Sequence, residues 1–140
     1  MQENVCIPKY GGRILPNVDL KKWKVSNIQL NNECLTKGTN KLSAELQFSV
    51  NIPPQNEDCF VETKLKFSTE SGVVYFSIDI VFVFVLNETS LTNDQKNDLL
   101  KNLGFPICYK QLCNCVKDIL TASNNSVPSM LNYEDVEKTL

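Results

Sequence analysis

The chain has 140 residues, with 14 lysines and arginines, 16 aspartates and glutamates, no histidine and a formal net charge of −2. This balance argues against a nucleic-acid partner, which calls for a basic stripe. No apolar run reaches the ~18 residues that a membrane helix needs, so we also expect no membrane partner. The length of the chain predicts one domain.

The N-terminal 20 residues are predicted to form an irregular arm, and residues 21–140 a single domain. Gly11-Gly12 and two prolines interrupt regular structure in the arm. The first 16 residues lack the apolar core and basic lead of a secretory signal, which predicts a cytoplasmic protein. In that compartment the six cysteines, at positions 6, 34, 59, 108, 113 and 115, are expected to be free thiols.

Three strands are predicted between residues 23 and 68. The first, from about Trp23 to Leu30, changes phase near Ser26-Asn27, which indicates a bulge. The second alternates apolar and polar residues from 41 to 52, where Pro53-Pro54 ends it. The third, from 58 to 68, alternates in the same way and leads through a tight turn at Glu70-Ser71-Gly72 into a fourth strand.

The fourth strand, Val73 to Leu86, is apolar on both faces in its C-terminal half. One face carries Phe76, Ile78, Ile80, Phe82, Phe84 and Leu86, and the other carries Ser77, Asp79, Val81, Val83 and Val85. An antiparallel strand with one solvated face should alternate throughout. We therefore expect a helix, another subunit or an apolar ligand to cover the valines, with Trp23 nearby.

Helices are predicted after the strands. Thr92 and Gln95 have the spacing of a capping box, and Gly104 is expected to stop the first helix. Pro106 suits the first turn of a second helix with apolar spacing up to Leu120, and Asn132 is expected to cap a short terminal helix. The whole pattern predicts an α+β fold, a four-stranded antiparallel meander followed by helices packed on one face.

Residues that carry chemistry are scarce. Without histidine there is no imidazole base, and neither a phosphate-binding glycine loop nor a G-x-S-x-G elbow is present. The cysteines lack the paired C-x-x-C spacing of a zinc site. We therefore expect no enzyme, no metal and no cofactor.

The order of elements resembles the SecB family of export chaperones over about residues 23–133. The motif that carries the resemblance is Leu103 to Val116, an apolar residue followed by Phe105-Pro106, with aliphatic residues six and ten positions after the proline. Ser126 to Tyr133 is similar to the family's proline-containing segment ending in Asn-aromatic, and Phe76 to Ile80 is similar to its fourth strand.

The resemblance implies a homotetrameric holdase, a dimer of dimers that binds unfolded polypeptides in apolar grooves, with SecA or an antitoxin as the candidate partner. The groove residues would be Trp23, Phe84, Leu86, Phe105 and Tyr109. Asp79 and Glu33 would form an acidic contact for a basic partner segment.

Two other classes of protein remain open at this point. One is an α+β module that holds a small apolar ligand between sheet and helices. The other is a secreted, disulfide-bonded interaction domain, which a count of free thiols would separate from the chaperone.

Overall fold

The structure is a computed structural model, and it describes residues 9–10, 13–14, 18–36, 40–54, 58–86, 91–126 and 128. The strands are β1 (Lys9–Tyr10), β2 (Arg13–Ile14), β3 (Val18–Leu30), β4 (Leu42–Asn51), β5 (Asp58–Thr69) and β6 (Val74–Leu86). A 3₁₀ turn (Asn32–Cys34) follows β3, and the helical part comprises α1 (Asn93–Leu99), a π-helical segment (Leu100–Gly104) and α2 (Phe105–Ala122). The predicted terminal helix lies outside the described residues.

The four long strands form one antiparallel sheet in the order β3-β6-β5-β4. The α+β fold class and the antiparallel sheet are confirmed, whereas the prediction of a simple meander was wrong for the first long strand. β4, β5 and β6 do follow one another as neighbours, but β3 pairs with β6. This is a Greek-key order, and it places β6 in the interior of the sheet.

β3 begins at Val18, five residues before the predicted start of the first strand, and runs for 13 residues. The predicted bulge is confirmed, because the register with β6 shifts between Val25 and Asn27. A second shift lies between Leu20 and Lys22. In the predicted N-terminal arm, β1 and β2 pair with each other over two residues each. The boundary at residue 20 between arm and domain stays a prediction.

The helices lie on one face of the sheet, which we call the helix side. Phe105 of α2 contacts Phe48 of β4, and a Cβ added at Gly104 would lie 3.7 Å from Cζ of Phe84 of β6. The core fills this side with residues of β5, β6 and α2, among them Val61, Leu65, Phe67, Phe76, Ile78, Ile80, Phe82, Leu112, Val116 and Leu120. Each strand contributes every second residue to this core, as the alternation predicted.

The predicted capping box at the start of α1 is confirmed. Thr92 Oγ1 accepts a hydrogen bond from the Gln95 N–H at 3.2 Å, and Gln95 Oε1 accepts one from the Thr92 N–H at 2.9 Å. None of the described helices is long and apolar enough to span a membrane.

The prediction that Gly104 ends a helix was wrong. The chain continues through the π-helical segment into α2, and the Phe105 N–H donates to the carbonyl of Leu100, five residues back. Pro106 gives the physical reason, because it has no N–H and its ring crowds the carbonyl four residues earlier. A wider turn before the proline removes that conflict without ending the helix.

Candidate polypeptide-binding surface

The structure separates Trp23 from the other four predicted groove residues. Phe84, Leu86, Phe105 and Tyr109 are buried in the core between sheet and helices, whereas Trp23 is 39% exposed. A client that binds this conformation can therefore reach Trp23 and not the other four. Their role as client contacts stays a prediction.

The buried aromatic residues are held by one another. The Phe105 ring meets Phe48 edge to face, with centroids 5.1 Å apart, and stacks on Tyr109 with centroids 5.7 Å apart. Such pairs add about 0.5–1.5 kcal/mol beyond the area they bury. This packing fixes the start of α2 over the sheet.

The accessible apolar surface is concentrated on β3. Two of the exposed large apolar side chains of the described residues, Trp23 and Ile28, lie on this strand, and Trp23 pairs with Phe82 while Ile28 pairs with Ile78. Because these partners belong to the buried face of β6, both side chains lie on the helix side. Half-buried members of the same face pack against the core, so we define the β3 strip as Leu20, Trp23, Val25, Ile28 and Leu30.

The sequence-based prediction of the binding surface included Trp23 and omitted Ile28, and a binding role for either residue stays a prediction. It also placed Trp23 beside the second-face valines, which was wrong, because the register puts Trp23 opposite Phe82 on the helix side. The signal for Ile28 was present in the phase change near Ser26. A bulge there returns Ile28 and Leu30 to the face that carries Trp23 and Val25.

The other face of the sheet, which we call the open face, is apolar at one end and polar at the other. Val81 and Val85 are half-buried on it, Val83 is buried, and Phe60 of β5 pairs with Val83. The helices pack on the opposite side. The expected cover for these valines, beyond the neighbouring strands themselves, stays a prediction.

The two predicted acidic contacts lie apart. Asp79 is half-buried at the polar end of the open face, between Asn27 of β3 and Lys64 of β5. Glu33 is exposed on the 3₁₀ turn, where its N–H donates to Asn31 Oδ1 at 3.1 Å. Their role in binding a basic partner segment stays a prediction.

Comparison with known proteins bears on the fold. No protein-family model and no curated protein matches the chain. Among solved structures, it is similar to the Mycobacterium tuberculosis SecB-like chaperone Rv1957, determined in complex with a ChAD peptide from the Rv1956 HigA1 antitoxin. The TM-score is 0.60 over 80% of this chain and 87% of that chain, at 13% identity. The chain has the SecB-like fold. At this identity the likeness concerns the architecture, and function has to be argued from the surface.

Within this SecB-like fold, Cys59 and Cys108 are buried, and Cys113 and Cys115 are half-buried. Burial raises the pKa of Cys59, Cys113 and Cys115, and raises the pKa of Cys108 to about 12. At neutral pH these thiols are therefore protonated and poorly nucleophilic. Among the described residues, no group of three or more cysteine, aspartate or glutamate side chains could hold a metal ion.

The two alternative classes find little support in the described residues. A shallow cavity of about 260 Å³ lies on the open face and is lined mainly by polar and charged side chains: Asn27, Glu45, Gln47, Lys64, Lys66, Ser77 and Asp79. A small apolar ligand between sheet and helices would instead have to enter the buried core. The five described cysteines are free thiols, and Cys6 lies outside the described residues.

Proposed function

We propose that this chain is a SecB-like holdase, which binds unfolded or non-native polypeptides and keeps them from folding or aggregating. The observation that carries the proposal is the β3 strip, an exposed apolar surface at the edge of a sheet with the SecB-like fold. Apolar surface exposed beside a packed core is the form that polypeptide-binding sites take. No reaction is needed for this activity, and we propose no enzymatic one.

Affinity would come from many weak contacts. Covering the exposed parts of Trp23 and Ile28 completely contributes roughly 4–5 kcal/mol together, at about 25 cal/mol per Å² of apolar area. Such contacts depend little on the sequence of the client, because dispersion and apolar burial are not directional. A chaperone that holds many clients requires this tolerance.

The finer parts of the proposal concern assembly and partners. We propose a cytoplasmic dimer of dimers, which would repeat the β3 strip along one particle and hold a long client at several points. The peptide complex of the similar mycobacterial chaperone supports a polypeptide client, of which an antitoxin segment is one example. SecA is the alternative partner.

The chain offers an internal probe for the test, because Trp23 is its single tryptophan. A permanently unfolded, tryptophan-free polypeptide should shift the Trp23 emission to shorter wavelength, since a bound client removes water from the indole ring. A folded protein at the same concentration should leave the spectrum unchanged. Light scattering of an aggregating client should fall in parallel.

Matched variants locate the site. Ile28→Ser should weaken client binding, whereas Val73→Ser, at a residue of similar exposure on the β5–β6 turn, should leave it unchanged; the two side chains are 47% and 44% exposed. Unchanged Trp23 emission together with undiminished aggregation would rule out the proposed holdase activity.

A further inference from the structure

An ion pair crosses the interior strand of the sheet on the open face. Lys21 belongs to β3 and Asp58 to β5, the two strands that flank β6. The Lys21 Nζ lies 3.1 Å from Asp58 Oδ2, and Asp58 pairs with Val85 on the open face. Because neighbouring strands are about 4.8 Å apart, the two residues are joined over roughly twice that distance. The Lys21 side chain therefore lies across β6 at the apolar end of the open face.

The first bulge of β3 places Lys21 in this position. The register with β6 shifts between Leu20 and Lys22, and Lys22 pairs with Val83, so Lys21 is the extra residue. In a bulge, two residues of one strand oppose a single residue of its neighbour. Lys21 and Lys22 therefore both oppose Val83, and the flexible four-carbon stem of Lys21 reaches diagonally to Asp58.

The apolar side chains around this ion pair form a patch outside the core. Val83 is 6% exposed, and among the described residues it is the one buried apolar side chain that does not belong to the core cluster. Its neighbours on the open face are half-buried, and no described helix packs on this side. We define the valine patch as Phe60, Val81, Val83 and Val85.

We propose that Lys21 is a strap, whose methylene stem covers the valine patch while Asp58 holds its charged end. Lysine can lay its stem along apolar surface and keep its ammonium group in water. The Lys21 side chain is 51% exposed and that of Asp58 32%, as this arrangement requires. Breaking the ion pair would expose the patch as a second apolar surface. The inference goes beyond the proposed holdase function, whose surface, the β3 strip, lies on the helix side.

The neighbouring charges favour the strap. Asp19 of β3 and Asp58 of β5 both pair with Val85, one from each side. Two carboxylates so placed repel each other, and the Lys21 ammonium near them offsets this repulsion. Lys22, also on the open face, forms no ion pair with another described residue. The strap therefore depends on the bulge residue, and a lysine elsewhere on this face does not replace it.

An ion pair as exposed as this one is weak, so the strap can open and close. Exposed pairs typically change an equilibrium constant about 1.4- to fivefold, and salt screens them. High ionic strength should therefore shift the strap towards its open position. The valine patch is expected to become accessible under that condition without unfolding of the sheet beneath it.

The test measures the affinity of Nile red, an uncharged apolar dye, for the full chain. Lys21→Ala removes the strap and Asp58→Asn releases its charged end, so both variants should bind the dye about 1.4- to fivefold more tightly than the wild-type protein. The double variant should bind no more tightly than Lys21→Ala, because there is one strap to remove. Lys66→Ala is the matched control, since its Nζ lies 3.0 Å from Glu45 Oε1 on the adjoining strand at the polar end of the same face. It should leave dye binding unchanged.

Two further measurements separate opening of the strap from other changes. Raising the salt concentration towards 1 M should increase the dye affinity of the wild-type protein more than that of Lys21→Met, which keeps an apolar stem and has no charge to screen. Trp23 emission should stay the same in all variants, because the Trp23 side chain lies on the helix side.

Three results would overturn the strap. Equal dye affinity of Lys21→Ala and wild-type protein would mean that Lys21 covers no apolar surface. An equal increase in Lys66→Ala would assign the effect to the loss of any positive charge on this face. If Lys21→Ala also shifts Trp23 emission and is partly unfolded, Asp58→Asn and the salt dependence of the wild-type protein decide, and unchanged dye affinity in both would overturn the proposal. The holdase function is judged separately, from suppression of client aggregation.

Discussion

Phe48 of β4 and Phe105 of α2 meet edge to face across the layer between sheet and helices, with ring centroids 5.1 Å apart and planes at 78°. Phe105 is buried and Phe48 half-buried. The contact ties the start of α2 to an edge strand that otherwise pairs with β5 alone in the described sheet. It therefore links the two layers at a position where the sheet supplies few other neighbours.

We predict that Phe105→Ala lowers the free energy of unfolding by about 3–5 kcal/mol, because it removes a buried aromatic ring and leaves a cavity. Phe48→Ala should cost less, since that ring is already partly solvated. A double-mutant cycle measured by urea unfolding should give a coupling of about 0.5–1.5 kcal/mol. Strict additivity would mean that the two rings do not stabilise each other.

The capping box predicts a second stability effect. Thr92→Ala removes the acceptor for the Gln95 N–H and should cost about 0.5–2 kcal/mol, because that N–H has no partner within the helix. Asn114→Ala, at an exposed position within α2, is the control and should cost nothing, since alanine has the higher helix propensity. Thermal unfolding compares the stability of the two variants. Equal losses of stability would show that the Thr92 cap does not stabilise the helix.

The strands could be predicted from the sequence, but their order could not. Alternation shows which residues of a strand share a face, and it carries no information about which strand lies next to which. The meander would have placed the fourth strand at an edge. Its interior position, between β3 and β5, places a neighbouring strand on each side of Val81, Val83 and Val85, whereas the expected cover over this face stays a prediction.

The candidate site was predictable only in part for the same reason. The sequence pattern of a strand is the same whether an aromatic residue on it is covered or exposed. The pattern therefore could not distinguish Trp23 from Phe84. Their difference arises from position: Phe84 lies on the interior strand next to Gly104, and Trp23 lies on the edge strand. The number of covering neighbours is a property of the tertiary structure.

The buried thiol of Cys108 makes stability depend on pH. Its pKa is raised from 9.0 to about 12, chiefly because burial disfavours the thiolate. Below pH 9 the thiol is protonated in both the folded and the unfolded chain, so it contributes no pH dependence there. Between pH 9 and 12 the unfolded chain loses this proton and the folded chain keeps it. The free energy of unfolding should therefore fall as pH rises, by up to about 1.4 kcal/mol per pH unit from this group.

Cys108→Ala isolates that contribution. The variant should be less stable at pH 7, where it lacks a buried side chain, but its free energy of unfolding should decline less steeply above pH 9. Urea unfolding of both proteins from pH 7 to 10.5 gives the two slopes. Parallel slopes would show that the Cys108 thiol ionises alike in the folded and unfolded chain.

Thr63 is the buried polar residue of the described core, and its hydroxyl is poorly satisfied. It lies on the helix side of β5, opposite Phe48 and Ile80, and donates to the carbonyl of Ile80 at a long 3.4 Å. A hydrogen bond of normal strength from a hydroxyl is about 2.7–2.8 Å long, so this one offsets little of the cost of removing the hydroxyl from water.

We predict that Thr63→Val, which keeps the branched shape, raises the free energy of unfolding by between zero and about 1 kcal/mol. Thr63→Ala, which also removes a methyl group, should lower the free energy of unfolding measured by chemical denaturation. A loss of more than 1 kcal/mol in the valine variant would mean that the hydroxyl stabilises the core and that its long bond to Ile80 is stronger than its length implies.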